Sequence, residues 1–167
     1  LYLGSGSGPM NVASWVAESN QGDGFFGRSV SSAGDVNGDG FADVIVGMPQ
    51  YASGQSQEGA AHAYRGIVDV PSETTADTRG ADESGAYFGA AVSSAGDVNG
   101  DGYDDVIVGA PNHTNDQGRA YIYRGSASGI SASSTWVGVQ GLDGAMFGKS
   151  VSRAGDVNSD GYDDVIV

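Results

Sequence analysis

The chain has 167 residues, with 21 acidic against 7 basic side chains and a formal net charge of −14 at pH 7. This length allows one domain, or part of one, with a buried core, and the lack of cysteine in the sequence excludes disulfide cross-links. The acidic charge argues against nucleic acid or an anionic membrane as a partner, and the sequence has neither a signal-peptide pattern nor an apolar run near the roughly 20 residues of a membrane span.

The chain opens with a strand, a turn and a second strand over residues 1–16. This stretch, which ends in Trp15-Val16, matches residues 122–137 at an offset of 121 residues, and the same offset relates Asp35 to Asp156. The chain is therefore a series of internal repeats. Leu1 resembles a strand-interior residue, which predicts that the parent protein extends beyond it.

The first complete repeat, residues 20–80, contains the features that recur. Phe26-Gly27 leads into a strand of small residues from Ser29 to Gly34, and an acidic loop then runs into Val44-Ile45-Val46. Gly47-Met48-Pro49 ends that strand, and residues 60–65 form the next one. This order of features predicts short strands separated by turns.

The second complete repeat, residues 81–140, has the same order of features and shows a fourth short strand. Its parts are Phe88-Gly89, a small-residue strand ending at Gly96, the strand Val106-Ile107-Val108, Gly109-Ala110-Pro111, a strand over 119–124 and an outer strand over 136–139. Residues 141–167 begin a third repeat at Phe147-Gly148 and end at its Val-Ile-Val strand.

Four short strands per unit predict an all-β fold, a β-propeller of four-stranded antiparallel blades. We expect three blade equivalents: residues 20–80 and 81–140 as whole blades, 1–19 as strands three and four of a split blade, and 141–167 as strands one and two of another. Phenylalanines of the Phe-Gly pairs, with Tyr64 and Tyr123, should fill the space between blades. Because four to eight blades close a ring and half-blades leave open strand edges, we expect either a piece of a longer chain or a six-bladed homodimer.

Each repeat carries a loop with oxygen-bearing side chains at positions 1, 3, 5 and 9 and glycine at position 6. Carboxylate and amide oxygens suit a hard cation such as Ca²⁺, and glycine permits the sharp turn around it. Like charges about 4 Å apart repel by roughly 4 kcal/mol per pair at an effective dielectric near 20, so a cation would hold the loop together. The three loops therefore predict about three Ca²⁺ ions.

An EF-hand or dockerin-like loop opens with the same Asp-x-Asn-x-Asp-Gly pattern. It has a bidentate acid at position 12 on a helix, whereas position 12 here is valine in all three loops, inside a strand-like run. Position 8 is Asp104 and Asp163 in two loops but Ala42 in the first, so it is not counted as a ligand. A solvated acidic turn without metal is the other alternative.

The series Phe88-Gly89, acidic loop and Gly109-Ala110-Pro111 resembles the FG-GAP repeat of integrin α-subunit β-propellers and related bacterial and eukaryotic extracellular proteins. The resemblance covers essentially the whole chain, although Met48 replaces the alanine of Gly-Ala-Pro in the first repeat. It implies Ca²⁺ loops between the first and second strands, in a propeller that usually has seven blades. The implied ligands are four side chains and the position 7 carbonyl of each loop: Asp35, Asn37, Asp39, Phe41 and Asp43; Asp97, Asn99, Asp101, Tyr103 and Asp105; Asp156, Asn158, Asp160, Tyr162 and Asp164.

Two patterns resemble catalytic or cofactor sites, but their context favours a structural role. The stretch from Gly22 to Gly27 has the spacing of a dinucleotide fingerprint, but it precedes a strand, and Asp23 would repel a pyrophosphate. The two histidines, His62 and His113, lie outside any strand, elbow and helix arrangement of a nucleophile, so no catalytic residue is assigned.

These features predict a noncatalytic, Ca²⁺-binding scaffold for protein interaction or cell adhesion, secreted or at the cell surface. One alternative is a carbohydrate-binding or hydrolase-associated module, in which Trp15 or Trp136 would stack on a sugar; we expect these residues to pack between blades instead. Another is a self-assembling unit completed by its own half-blades. We expect no nucleic acid partner and no membrane insertion. Asn112-His113-Thr114 matches an N-glycosylation sequon on a predicted loop.

Overall fold

The computed structural model describes residues 1–19, 21–72, 74, 75, 77–81 and 83–167. Its strands, β1 to β12 in chain order, are Gly4–Ser5, Gly8–Pro9, Ser29–Gly34, Asp43–Met48, Ala60–Tyr64, Asp77–Gly80, Ala91–Gly96, Asp105–Ala110, Arg119–Tyr123, Trp136–Val139, Ser152–Gly155 and Asp164–Ile166. Helical structure in these residues consists of a 3₁₀ turn at Gly22–Gly24 and one turn at His113–Asp116. No helix in the described ranges is long and apolar enough to span a bilayer.

Two four-stranded antiparallel sheets form the body of the fold. The first sheet has the order β3-β4-β5-β6 and the second β7-β8-β9-β10, while β1-β2 and β11-β12 form two-stranded sheets. Consecutive strands are neighbours, as they are in propeller blades. The predicted all-β fold of four-stranded blades is confirmed, and the sheets of the described residues do not close into a ring.

The second strand of each large sheet is its most buried strand. All six residues of β8 are buried, and the side chains of Val106, Ile107 and Val108 are fully so. A strand without a polar face fits this position, because neighbouring elements cover both of its faces. Between the two sheets the backbones approach closely: a Cβ added at Gly47 would lie 2.0 Å from the carbonyl oxygen of Gly89.

Phe88 lies in the core between the two large sheets. Its side chain is fully buried, and its ring centroid lies 5.4 Å from that of Tyr121 and 6.2 Å from that of Tyr123. The same cluster includes Ile45 of the first sheet. The equivalent phenylalanines of the other two repeats are half-buried. The Phe-Gly phenylalanine is thus most deeply packed where a complete sheet lies on each side of it.

A β-bulge precedes each acidic loop. The pairing of β3 with β4 shifts between Ser32 and Gly34, and corresponding shifts occur in the pairs β7-β8 and β11-β12. Each bulge contains a glycine in the left-handed region, where other residues are strained; these are Gly34, Gly96 and Gly155, with φ of 79°, 73° and 75°. The bulge redirects the backbone at the start of the loop.

The N-terminal segment differs from the predicted pair of strands. Residues 1–3 and 15–16 lie outside regular strands. The amide of Ser14 nevertheless donates to the carbonyl of Leu1 at 2.9 Å, as the amide of Thr135 donates to that of Ile122 at 2.8 Å in the second sheet. The local hairpin is therefore retained. In the second sheet, the equivalents of residues 1–3 belong to β9, which pairs with β8. In the described chain, residues 1–3 have no neighbouring strand of that kind.

Truncation of Phe88 should destabilise the fold more than truncation of Phe26. Phe88→Ala removes a fully buried ring and should lower the free energy of unfolding by about 3–5 kcal/mol. Phe26→Ala is the matched control, because its half-buried ring leaves a smaller cavity. Denaturant unfolding at fixed calcium measures both, and equal losses would contradict the assignment of Phe88 to the inter-blade core.

Candidate metal centre

The three acidic loops occupy the same place in their repeats, between the first and second strands. They join β3 to β4, β7 to β8 and β11 to β12. The aspartate at position 1 closes each loop by accepting backbone hydrogen bonds. In the first loop Asp35 Oδ1 accepts from the amide of Asp39 at 3.0 Å, and Asp35 Oδ2 accepts from Gly40 at 2.8 Å. Asp97 and Asp156 make the corresponding contacts in the other loops.

The side chains at positions 3 and 5 interact with each other on the exposed side of the loop. Asn37 Nδ2 donates to Asp39 Oδ2 at 2.8 Å, and Asn37 Oδ1 accepts from the Asp39 amide at 3.0 Å. Asp39 Oδ1 also accepts from the amide of Phe41 at 2.9 Å. The second and third loops repeat these contacts with Asn99 and Asp101 and with Asn158 and Asp160.

In the two four-stranded sheets the aspartate at position 9, Asp43 or Asp105, is buried and joins the loop to the rest of its blade. Asp105 accepts from the amide of Val98 at 3.0 Å and from that of Gly125, after the third strand, at 2.8 Å. Asp43 makes the same two contacts in the first repeat, with Val36 at 3.0 Å and Gly66 at 2.7 Å. Asp164 accepts from Val157 at 2.9 Å. Position 9 therefore has a structural role that its residue type alone did not predict.

Burial and neighbouring charges both disfavour ionisation of Asp43 and Asp105. Burial raises the pKa of Asp105 from 3.8 to about 6, against the opposing hydrogen bonds from Gly125 and Val98, and the charges of Asp101 and Asp97 raise it further. Burial likewise raises the pKa of Asp43, with smaller contributions from Asp39 and Asp35. The carboxylates of one loop are therefore near enough to repel one another. In the described chain no ion pair involves the acids at positions 1, 5 or 9.

Position 8 joins each loop to the loop before it. Asp104 Oδ2 accepts from the amide of Asp35 at 2.8 Å, and the amide of Asp104 donates to the Asp35 carbonyl at 3.1 Å. Asp163 makes the same pair of bonds with Asp97, at 2.9 and 3.1 Å. Sequence reasoning missed this role because it considered position 8 only as a possible ligand. Ala42 in the first loop was the available clue that this position differs in function from positions 1, 5 and 9.

The aromatic residue at position 7 also covers the preceding loop. A Cβ added at Gly38 would lie 2.7 Å from the ring of Tyr103, and one added at Gly100 would lie 2.9 Å from the ring of Tyr162. In addition, the amide of Ser126 donates to the carbonyl of Val36 at 2.9 Å. Successive loops are thus in direct contact through both side chains and backbone.

The donor set of each loop is chemically suited to calcium. It offers carboxylate and amide oxygens and no sulfur or imidazole, and a divalent cation would offset the repulsion among three carboxylates. In the described part of the chain, no group of three or more His, Cys, Asp or Glu side chains is gathered closely enough to hold a metal ion. The side-chain oxygens accept backbone hydrogen bonds instead. Binding of Ca²⁺ by these residues therefore stays a prediction.

The two histidines contact neighbouring side chains of the fold in an arrangement unlike that of a catalytic triad. His62 Nδ1 contacts Thr78 Oγ1 at 3.1 Å, and burial lowers the pKa of His62. His113 Nδ1 lies 2.9 Å from Glu83 Oε2 and 2.7 Å from Thr114 Oγ1. A catalytic triad uses the two different ring nitrogens of its histidine, whereas both contacts here are on one nitrogen.

The structure also places the remaining sequence motifs, which are the Gly22 stretch, the two tryptophans and the sequon. The stretch from Gly22 forms a 3₁₀ turn before β3, so it does not open a dinucleotide-binding helix. The ring of Trp15 packs edge-on against Tyr64 at a centroid distance of 5.1 Å, whereas Trp136 is exposed. Asn112 of the sequon donates from Nδ2 to Asp116 Oδ1 at 2.9 Å.

Comparison with known proteins identifies repeats in the two large sheets. The FG-GAP repeat family matches residues 26–64 and 88–123. The chain is 34% identical over 151 residues to Integrin alpha-4 of Xenopus laevis, 37% over 156 residues to Integrin alpha-PS3 of Drosophila melanogaster and 35% over 150 residues to Integrin alpha-6 of Homo sapiens. These matches cover 86%, 86% and 85% of this chain but only 14%, 13% and 12% of the relatives, so the chain spans a small part of their length.

The raised pKa of Asp105 predicts a pH dependence of the metal-free chain. A folded pKa of about 6 against 3.8 means that the folded state binds this proton more tightly. The contribution of Asp105 to stability is therefore complete below pH 3.8 and is lost as the pH rises through about 6, by roughly 3 kcal/mol. The difference in the free energy of unfolding between wild type and Asp105→Asn should decrease in this way as the pH rises. Denaturant unfolding from pH 3.5 to 7.5 without metal measures it. Asp101→Asn, an exposed change in the same loop, should keep most of this pH dependence. Identical dependence of the free energy of unfolding on pH in all three proteins would contradict the assignment.

Removal of the position 8 carboxylate should weaken packing between blades. Asp104→Ala removes the acceptor of the Asp35 amide and should lower the free energy of unfolding without metal by about 1–3 kcal/mol. The first loop provides the matched control, because Ala42→Asp adds a carboxylate where the described chain has no preceding loop. Chemical unfolding should show a lower free energy of unfolding for Asp104→Ala and no increase for Ala42→Asp. An increase in the stability of Ala42→Asp would mean that a carboxylate at position 8 acts within its own loop.

Proposed function

Because this chain carries FG-GAP repeats and is similar to integrin alpha chains over most of its length, we propose that it is a noncatalytic, calcium-binding β-propeller scaffold for protein recognition or cell adhesion. The observation that supports this most is the acidic loop found at one place in three repeats, in two of which burial and the charges at positions 1 and 5 raise the pKa of the aspartate at position 9, Asp43 and Asp105. A secreted or cell-surface location agrees with it, because extracellular modules bind Ca²⁺ at ~10⁻⁴–10⁻³ M.

In each loop the ion would be held by the side chains at positions 1, 3, 5 and 9 and by the carbonyl at position 7. In the second loop these are Asp97, Asn99, Asp101 and Asp105, with the carbonyl of Tyr103. Bound Ca²⁺ would neutralise the repelling carboxylates, and three ions would reduce the formal charge of −14 to −8. Reduced charge favours the compact state, because self-repulsion opposes folding.

The loops also connect ion binding to the geometry of the scaffold. Asp105 holds the hairpin at Gly125, and Asp104 holds the preceding loop at Asp35. A loop fixed by a cation would therefore fix the position of two neighbouring blades. A protein partner would then meet a rigid surface, which lowers the entropic cost of binding.

Calcium should stabilise the chain and a chelator should remove that effect. At a concentration 100 times the dissociation constant, each site contributes about 2.7 kcal/mol, so saturation of even one site should raise the melting temperature by several degrees. Calorimetric titration should give a stoichiometry near three, and the loop variant Asp97→Asn with Asp101→Asn should lose one ion.

Asp69→Asn is the control for this titration, because it removes an exposed carboxylate outside the three loops. It should leave both the stoichiometry and the thermal shift unchanged. Unchanged melting in excess EDTA and after calcium is restored would contradict the proposal. An equal effect of Asp69→Asn would show that calcium binds diffusely to the acidic surface.

A further inference from the structure

Two of the three acidic loops contain an asparagine followed by a glycine. Positions 3 and 4 are Asn37-Gly38 and Asn99-Gly100, whereas the third loop has Asn158-Ser159. No other asparagine in the sequence precedes a glycine. The backbone nitrogen that follows an asparagine can attack the side-chain amide carbon, and glycine has no Cβ to obstruct this approach. The sequence therefore makes the same place reactive in two loops.

The backbone at position 4 is left-handed and exposed in all three loops. Its φ is 71° at Gly38, 73° at Gly100 and 61° at Ser159. The ring of Tyr103 lies beside Gly38 and the ring of Tyr162 lies beside Gly100, yet both glycines remain exposed to water. Because φ is similar at all three places, the Cβ of Ser159 is the main difference among the loops at position 4.

The side chain at position 3 folds back over position 4. Nδ2 of Asn37 donates to Asp39 Oδ2 at 2.8 Å, and Oδ1 of Asn37 accepts from the Asp39 amide at 3.0 Å. In the second loop the corresponding distances between Asn99 and Asp101 are 2.8 and 3.4 Å. The amide carbon of each asparagine is therefore held in the same short turn as the backbone nitrogen that follows it.

That backbone nitrogen is held less firmly in the first loop than in the second. The amide of Gly100 donates to Asp97 Oδ1 at 2.7 Å. Within the described ranges, the amide of Gly38 makes no hydrogen bond. A bond to a charged acceptor is roughly twice as strong as a neutral one, and it must break before the nitrogen can attack. Asn37 should therefore react faster than Asn99.

We propose that Asn37 and Asn99 are modification sites, at which the chain deamidates through a succinimide. Hydroxide from the solvent removes the proton of the nitrogen at position 4, and this nitrogen bonds to Cγ of the asparagine. The bond from Cγ to Nδ2 breaks, and the nitrogen takes a proton from water and leaves as ammonia. Water then opens the five-membered ring, at Cγ to give isoaspartate's isomer aspartate when the imide nitrogen leaves Cγ, or at the backbone carbonyl carbon to give isoaspartate.

The two products differ in their effect on the loop. Aspartate leaves the backbone unchanged, and calcium loops accept either Asp or Asn at position 3. Isoaspartate takes the backbone through the side chain and lengthens it by one atom. In the first loop this displaces the amides of Asp39 and Gly40 from Asp35, whose oxygens they contact at 3.0 and 2.8 Å. Isoaspartate should therefore open the loop, whereas aspartate should leave it closed.

A filled loop should resist the reaction, and this part of the proposal rests on the calcium function proposed above. The ion would be held by the side chains at positions 3 and 5, which are Asn37 and Asp39 in the first loop. For attack, the amide carbon of Asn37 must turn towards the nitrogen of Gly38, so the side chain must leave the ion. Calcium should therefore slow deamidation at both sites.

Incubation of the metal-free chain at mildly alkaline pH tests the sites. Peptide mass spectrometry should show deamidation at Asn37 and Asn99, and several-fold less at Asn158. Ser159→Gly is the matched variant, because it gives the third loop the glycine of the other two without adding bulk, and it should raise the rate at Asn158 several-fold. No deamidation at Asn37 and Asn99, or an unchanged rate at Asn158 in the variant, would overturn the proposal.

The first two loops provide a further control, because residues 35–40 and 97–102 have the same sequence. A faster reaction at Asn37 than at Asn99 therefore reflects the folded structure, and circular dichroism during the incubation shows that the chain stays folded. Equal rates at the two sites would mean that the reaction occurs in unfolded chains, and would overturn the assignment to the folded loops.

The same incubation with calcium and with EDTA lets the two proposals fail separately. Calcium should slow both sites several-fold. If titration shows bound calcium while the rates stay unchanged, protection by the ion is overturned and the calcium function stands. Deamidation at both sites without any heat of calcium binding would contradict the calcium function alone.

Comparison with a stable product tests the effect of isoaspartate. The variant with Asn37→Asp and Asn99→Asp carries the aspartate product in both loops. Incubated wild type, with its isoaspartate measured by an isoaspartate-specific methyltransferase, should unfold at a lower denaturant concentration than this variant when both are metal-free. Equal unfolding midpoints at high isoaspartate content would overturn the predicted opening of the loop.

Discussion

The structure depends on hydrogen bonds from backbone amides to aspartate oxygens. Asp35 closes its own loop, Asp105 attaches the second loop to the hairpin of its blade, and Asp104 attaches that loop to the preceding one. Hydrogen bonds to a charged acceptor are roughly twice as strong as neutral ones, which suits them to segments with little apolar surface of their own. Short loops rich in glycine and aspartate are therefore ordered without helices or disulfides.

These hydrogen bonds place negative charges close together, both within a loop and at the contacts between blades. The cost is visible at Asp105, where burial and the charges of Asp97 and Asp101 raise the pKa. A divalent cation would reduce that cost without removing the hydrogen bonds. Under the proposed function, the residues that bind the ion are the ones that order the blade, so metal binding and scaffold rigidity are one property.

The repeat explains why packing differs among equivalent residues. A four-stranded sheet of this kind buries its faces against its neighbours, so a residue is buried when both adjacent blades are present. Phe88 and Val92 meet that condition, whereas Phe26 and Val30 face a side with less cover. The same reasoning relates the packed pair Trp15 and Tyr64 to the exposed Trp136 and Tyr2. Exposure in this chain therefore reports the position of a residue in the series of blades.

Residue types and their spacing were sufficient to predict the repeats, the four-strand blades, the Val-Ile-Val central strands and the acidic loops between first and second strands. These follow from residue type and spacing along a short stretch, which is where local physical preferences act. Only the packed fold reveals that Asp104 and Asp163 join neighbouring loops, that Asp43 and Asp105 accept amides beyond the third strand, and that residues 15–16 are not a strand. Such contacts join segments tens of residues apart, and they exist only once neighbouring blades pack against each other.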